Sequence, residues 1–246
     1  MAPDLLLFSS TSVHGYAPLG HAMDIMAEIV GSAKALHFVP FAIVDHEMYT
    51  ARVQEVLAPI GVSVVGLHAV PDPRAAVEEA EVLFIGGGNS FRLLSALWRL
   101  GLIEPIRRRA QAGELRFVGS SAGTNMACPS LRTTNDMPIV QPPTFEALGL
   151  VPFQVNPHYL DADPTSTHRG ETREQRIVEF LEENDVNVVG LREGSWLRRR
   201  GESLVLGGIS GARVFQRGSA PEEFSPGADL SWLLDAEPRF DTASTS

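Results

Sequence analysis

The chain has 246 residues, a formal net charge of -10, 44% hydrophobic residues and one cysteine, Cys128. At this length a folded chain buries roughly 70–75% of the surface its unfolded form exposes, so a full core forms without disulfides or structural metal. A lone thiol closes no intrachain bridge, which suits a reducing compartment. An acidic balance of 20 Lys+Arg against 30 Asp+Glu argues against a broad phosphate-tracking surface and so against nucleic acid as a partner. Nineteen of the 20 basic residues are arginine. The N-terminal run Asp4 to Phe8 is too short and lacks the basic flank of a signal or membrane span, so the expectation is a cytoplasmic chain with no membrane partner.

In chain order, apolar runs at 4–9, 35–40, 62–67, 81–85 and 115–119 alternate with segments of helical period at 19–31, 45–58, 73–79, 89–98 and 103–112. That alternation predicts βα units on a parallel sheet flanked by helices. The stretch 128–170 is punctuated by seven prolines and a polar run, Arg132 to Asp136, and is expected to be loop inside the domain. A helix is predicted over 171–183 and an apolar strand over 186–191. Three short strands near 195–199, 203–207 and 212–216 are expected to form an antiparallel meander. The expected domain is 1–217, and 218–246 is a C-terminal extension, frayed at its end, in which Leu230 to Leu234 forms a short docked helix.

The strongest local signal is Gly119-Ser-Ser-Ala-Gly123, a G-x-S-x-G pentapeptide directly after an apolar run. A strand ending in a sharp turn that opens a helix holds the central serine in strained backbone and exposes its hydroxyl. Ser121 is therefore the candidate nucleophile, and the Ala122 amide a candidate oxyanion donor. A Gly/Ser-rich connecting turn is the competing reading; a base and an acid at the same sheet edge decide between them. Of seven histidines, His158 is the best base candidate, because it follows Pro157 at the end of a strand-like run, whereas His37 is expected in the core and His14, His21, His46 and His68 lack partner spacing. Two acids compete: Glu193, just past the 186–191 strand, and Asp136, in the polar loop.

The run Gly86-Gly-Gly-Asn89 follows a strand and precedes an amphipathic helix. It fails as a dinucleotide fingerprint because Phe91 occupies the third glycine position, but its exposed amides suit an oxyanion hole, with Gly88 the candidate donor. Asn89 is a candidate substrate contact. His158, Asp161, Asp163, His168 and Glu171 fall within fourteen residues, yet no paired-ligand helix accompanies them, so neither metal nor another cofactor is expected.

Taken together, Ile85-Gly-Gly-Gly-Asn-Ser-Phe91, Gly119 to Gly123, Cys128 to Val140, Val155-Asn-Pro-His158, Gly170 to Arg176 and Gly190-Leu-Arg-Glu-Gly194 resemble peptidase E, the aspartyl dipeptidase family of serine peptidases. The resemblance implies an α/β three-layer sandwich of the class I glutamine-amidotransferase-like (flavodoxin-like) kind, and cleavage of dipeptides with an N-terminal aspartate. Carried over by motif, the nucleophile is Ser121 and the base His158. The acid of the family's G-L-x-E-G turn falls on Glu193 and the aspartate of its T-N-D-M-P block on Asp136; Glu193 is favoured and both are kept. Arg173 or Arg132 would read the substrate aspartate, Arg173 slightly preferred. Ser120 departs from the family's tryptophan at that position. The partner expected is a small acidic dipeptide, and the chain a monomer or homodimer. A cyanophycinase-like or amidase-type hydrolase, or a non-catalytic binding member of the fold, is the alternative.

Overall fold

Apolar runs with no polar face form strands only where both faces are covered, and the central parallel strands meet that condition. The computed structural model describes residues 2–162, 165 and 170–242. Strands β1 (Asp4–Phe8), β2 (Ala35–Val39), β3 (Ser63–Gly66), β4 (Val82–Ile85) and β5 (Arg116–Ser120) pair in parallel in the order β3-β2-β4-β5-β1. Two antiparallel strands, β8 (Ser195–Arg200) and β9 (Ser203–Gly208), extend the sheet beyond β1.

Helices α1 (Met23–Val30) and α2 (His46–Leu57) cover one face, packing Met26, Ile29, Val53 and Leu57 against Leu6, Phe8, Phe38 and Phe84. Helices α3 (Pro73–Glu79), α4 (Ser90–Arg99), α5 (Ile103–Gln111) and α6 (Ala122–Ala127) cover the other, against Leu5, Leu7, Leu83, Ile85 and Phe117. The division follows from right-handed crossovers: connections that step toward β3 leave their helices on one face, and those that step toward β1 leave them on the opposite face. Burying each such Leu or Phe contributes ~1.5–3 kcal/mol.

A second sheet holds β6 (Gln154–Pro157), β7 (Val188–Leu191), β10 (Ala212–Phe215) and β11 (Glu222–Phe224), in the order β11-β10-β7-β6, with α7 (Arg173–Glu183) between β6 and β7 in the chain. The expected meander over 195–216 is corrected here. β8 and β9 form a hairpin on the first sheet, whereas β10 leaves it and pairs antiparallel with β7, Ala212 opposite Leu191. Local pattern identified three strands, but the unpaired edge of β7 chose the partner of the third.

Residues 218–242, set apart above as an extension, supply β11, which pairs with β10, and a 3-10 turn over Ser231–Asp235 that buries Leu233. Arg239 pairs with Asp185 and Asp241 with Arg132. Among the described residues no helix is long and apolar enough to cross a membrane.

Candidate active site

Ser121 lies between β5 and α6 with φ 53° and ψ -112°, a conformation that costs a non-glycine residue ~1–3 kcal/mol and persists only when its surroundings over-determine it. Four hydrogen bonds do so. The Ser121 amide donates to the Phe8 carbonyl (3.1 Å), the Ser121 carbonyl accepts from Thr124 and Asn125 (2.9 and 3.1 Å), and the Thr124 hydroxyl donates to Phe8 (2.7 Å). The flanking glycines are steric requirements. A Cβ on Gly123 would stand 2.0 Å from the Ile85 carbonyl oxygen, and one on Gly119 2.6 Å from that of Gly123.

His158 follows β6, also at positive φ (54°). Parallel pairing sets Pro157 opposite Leu191, so the residues just past both strand ends, His158 and Glu193, emerge side by side. His158 Nδ1 lies 2.7 Å from Glu193 Oε1 and its Nε2 lies 2.9 Å from Ser121 Oγ. An ionised Glu193 accepts the Nδ1 proton, which leaves Nε2 as the acceptor for the serine hydroxyl. Ser121 and His158 thus come from different sheets. Hydrogen bonds hold those sheets in register here: the Asn125 amide group donates to the Val155 carbonyl (2.9 Å), and the His158 amide donates to Ser9 Oγ (2.9 Å).

Ser9 is a site residue that the sequence reading missed. Its fully buried hydroxyl accepts from His158 and donates to the Leu191 carbonyl (2.8 Å), joining the ends of β1, β6 and β7. The available signal was a small polar pair, Ser9-Ser10, at the carboxyl end of an apolar strand.

The Gly86–Asn89 turn runs beside Ser121. A Cβ on Gly87 would lie 3.2 Å from Ser121 Cβ, and Gly88, at φ 133°, has no space for one beside the Ala42 carbonyl and Ile43. The amides of Gly88 and Ala122 have no acceptor among the described residues. Asn89 turns out to be occupied structurally: its side-chain oxygen caps α4 by accepting from Arg92 N (3.0 Å), and its amide group donates to the Met137 carbonyl (2.9 Å).

Asp136 accepts from the Ser90 amide (2.7 Å) in the first turn of α4, and its carboxylate makes no hydrogen bond to His158. Arg132 is engaged away from the triad. Its guanidinium pairs with Asp241 (2.6 and 2.9 Å) and contacts Asn184, near the start of β7, while Glu193 follows its end. It lines a cavity of about 670 Å³ with Arg107, Glu146 and Phe240 that includes neither Ser121 nor His158. Arg173 stays near the site. It donates to Asn135 Oδ1 (2.5 Å), and Asn135 in turn donates to the Pro157 carbonyl (2.9 Å) next to His158. Among the described residues it has no carboxylate in ion-pair contact; burial lowers its pKa, with Arg176 adding and Asp136 opposing.

The acidic and histidine cluster weighed as a metal site is used otherwise. His158 faces Ser121 and Glu193, Asp161 binds Arg192, and Glu171 meets Arg176, while Asp163 and His168 lie outside the described residues. No group of three or more potential ligands occurs among the described residues. Cys128 is fully buried, its sulfur accepting from Val155 N (3.2 Å), and burial pushes its thiol up to about 12.

The model of peptidase family S51 matches residues 5–207. Peptidase E of Streptomyces coelicolor is 58% identical over 243 residues, 99% of this chain and all of that one. A Drosophila melanogaster protein described as a "Probable alpha-aspartyl dipeptidase" is 48% identical over 235 residues, 95% of this chain and 98% of that one. The crystal structure of a peptidase from an acI-B1 Actinobacterium superposes with a TM-score of 0.67 at 16% identity, over 94% of this chain and 97% of that one, a likeness of fold.

Proposed function

The chain belongs to peptidase family S51, and on that premise we propose that it is a serine dipeptidase that releases N-terminal aspartate from Asp-Xaa dipeptides through an acyl-enzyme on Ser121. The observation that carries the proposal is the unbroken hydrogen-bonded chain from Ser121 Oγ through His158 to Glu193, at 2.9 and 2.7 Å.

In this reading His158 Nε2 takes the proton from Ser121 as Oγ attacks the carbonyl of the aspartyl residue. Glu193 steadies the imidazolium that forms. The amides of Gly88 and Ala122 receive the oxyanion, and donors of this kind are worth ~3–4 kcal/mol each in the transition state. His158 then gives its proton to the leaving amine. A water deprotonated by the same imidazole attacks the ester carbonyl, and aspartate leaves with Ser121 restored.

Arg173 suits the aspartate side chain because it is half-buried, has no carboxylate in ion-pair contact among the described residues, and is linked to the His158 turn through Asn135. Asp136 and Asn89 shape the loop that carries the oxyanion amides rather than contacting the reacting atoms. A thiol-based amidase reading is disfavoured by Cys128, which is sealed in the core behind α6 with a pKa raised to about 12. The strand order 3-2-4-5-1, renumbered from β2, follows the flavodoxin series 2-1-3-4 with β1 as the last parallel strand. That order supports the class I glutamine-amidotransferase-like assignment.

The test is hydrolysis of Asp-Leu, Glu-Leu, Leu-Leu and N-acetyl-Asp-Leu by the purified chain and by Ser121→Ala. Cleavage of Asp-Leu alone, lost in the variant, is expected; turnover surviving in Ser121→Ala removes the nucleophile assignment.

A further inference from the structure

We propose that Arg192 is a positioning residue for the His158–Glu193 pair and that β11 acts on the site through it, an inference that rests on Ser121 and His158 being nucleophile and base. Arg192 lies between Leu191, the last residue of β7, and Glu193. Its backbone therefore carries the acid. Its head group holds the turn that carries the base: Nε and Nη2 donate to both oxygens of Asp161, three residues after His158, each at 2.8 Å. Nη1 and Nη2 also donate to the two oxygens of Glu223 on β11, at 2.9 and 3.0 Å. The guanidinium lies over the ring of Tyr159, the residue next to His158, at 5.6 Å.

Those contacts tie the three segments around the pair to one planar fork. Tyr159 is seated in turn by Gly190, where a Cβ would come 2.7 Å from its ring. Glu223 continues the network to Arg213 Nε (3.2 Å), and Arg213 reaches Glu174 on α7 (2.6 Å). Arg192 holds the Asp161 carboxyl below the usual carboxylate range. With four hydrogen bonds committed to two carboxylates, Arg192 has no role as a substrate reader.

The magnitudes separate positioning from plain stabilisation. Asp161 and Glu223 are more than half exposed (52% and 57%), and ion pairs exposed in this way contribute little to stability. Catalysis is far more sensitive, because a triad must be held within ~0.5 Å, and a 1 Å displacement costs on the order of 100-fold in rate. Loss of Arg192 should therefore depress turnover out of proportion to its effect on melting.

The experiment uses the full chain with Arg192→Gln, Arg192→Lys and Glu223→Gln. Four quantities are measured: kcat and KM on Asp-Leu, the rate of Ser121 labelling by diisopropyl fluorophosphate followed by intact mass, and the melting temperature. Arg192→Gln is expected to lower kcat by roughly 10- to 100-fold with KM within about twofold, and to slow labelling in parallel. Arg192→Lys, which keeps one charged donor, should recover part of both rates, and Glu223→Gln should lie between wild type and Arg192→Gln. A folded Arg192→Gln with wild-type kcat and labelling overturns the proposal, as does a rise in KM at constant kcat. Should Arg192→Gln fail to fold, Glu223→Gln decides alone: slowed labelling supports the clamp and wild-type labelling overturns it. Labelling does not depend on the peptide, so a wild type that labels at Ser121 but leaves Asp-Leu intact removes the substrate reading while the comparison among variants still decides the role of Arg192.

Discussion

Gly123→Ala is the sharpest probe of the nucleophile turn, because it adds one methyl group at a place where the neighbour is main chain. The new Cβ would stand 2.0 Å from the Ile85 carbonyl oxygen and 2.7 Å from its carbon, both backbone atoms of the central strand β4. An ordinary contact needs ~3.4 Å or more, so α6 or β4 must give by more than an ångström. Overpacking of this kind costs ~1–3 kcal/mol, which for a chain of this size lowers the melting temperature by ~2–12 °C. The same movement is transmitted to Ser121, whose carbonyl accepts from the first turn of α6. A displacement near 1 Å at the nucleophile costs on the order of 100-fold in rate. Gly61→Ala is the contrasting control: its φ of 79° is unfavourable to alanine, whereas Gly123 lies within α6, but nothing lies within 4 Å of the added carbon. It should lose ~1–2 kcal/mol of stability and none of the activity. The assays are thermal melting and Asp-Leu hydrolysis on all three proteins. Gly123→Ala melting and turning over like wild type would refute the steric account of the G-x-S-x-G flanks.

Four further outcomes are expected. Arg173→Met should reduce kcat/KM for Asp-Leu by about 10- to 150-fold, the equivalent of ~1.5–3 kcal/mol for a charge-assisted bond, while Arg132→Met leaves it unchanged; equal losses would remove the distinction drawn between them. Cys128 should be silent to Ellman's reagent in the native protein and give one thiol in denaturant, since it is fully buried with its pKa raised to about 12; native reaction would contradict the packing. Burial lowers the pKa of His21 and His37, whose ring nitrogens include unpartnered ones, so below about pH 6.5 the unfolded chain binds more protons than the native one. That contribution to stability is complete above pH 6.5 and lost on acidification: the melting temperature should fall from pH 7 to pH 5, and fall less in His37→Gln, where an equal fall would assign the loss to other groups. Finally, a net charge of -10 opposes an acidic dipeptide, so KM for Asp-Leu should drop as salt rises from low to physiological strength, and a KM that rises instead would show that local arginine attraction dominates.

The parallel strands were legible because strands buried on both faces carry uninterrupted apolar runs: β1 buries Leu5, Leu6, Leu7 and Phe8 completely. Ser121 was legible for a similar reason, since its strained turn demands glycines on either side and those glycines are visible as letters. Where the competition was over partners, the sequence was silent. The run 212–216 has the same local character whether it extends a hairpin or crosses to β7, and hydrogen-bonding edges far away in the chain made that choice. Asn89 and Arg132 have the right chemistry for a substrate, yet one caps a helix and the other binds a carboxylate 109 residues away.

Sequence alone determined the class of the fold, the family and the turn that presents Ser121, because each depends on short-range requirements: periodicity, strand-to-helix turns and steric need for glycine. The tertiary structure alone decided how the site is assembled. Ser121 belongs to the first sheet and His158 and Glu193 to the second, and their meeting depends on the docking of β6 on α6, on the Ser9 hydroxyl and on the parallel register of β6 with β7. Such distances arise from packing between segments remote in the chain, and local pattern carries no measure of them.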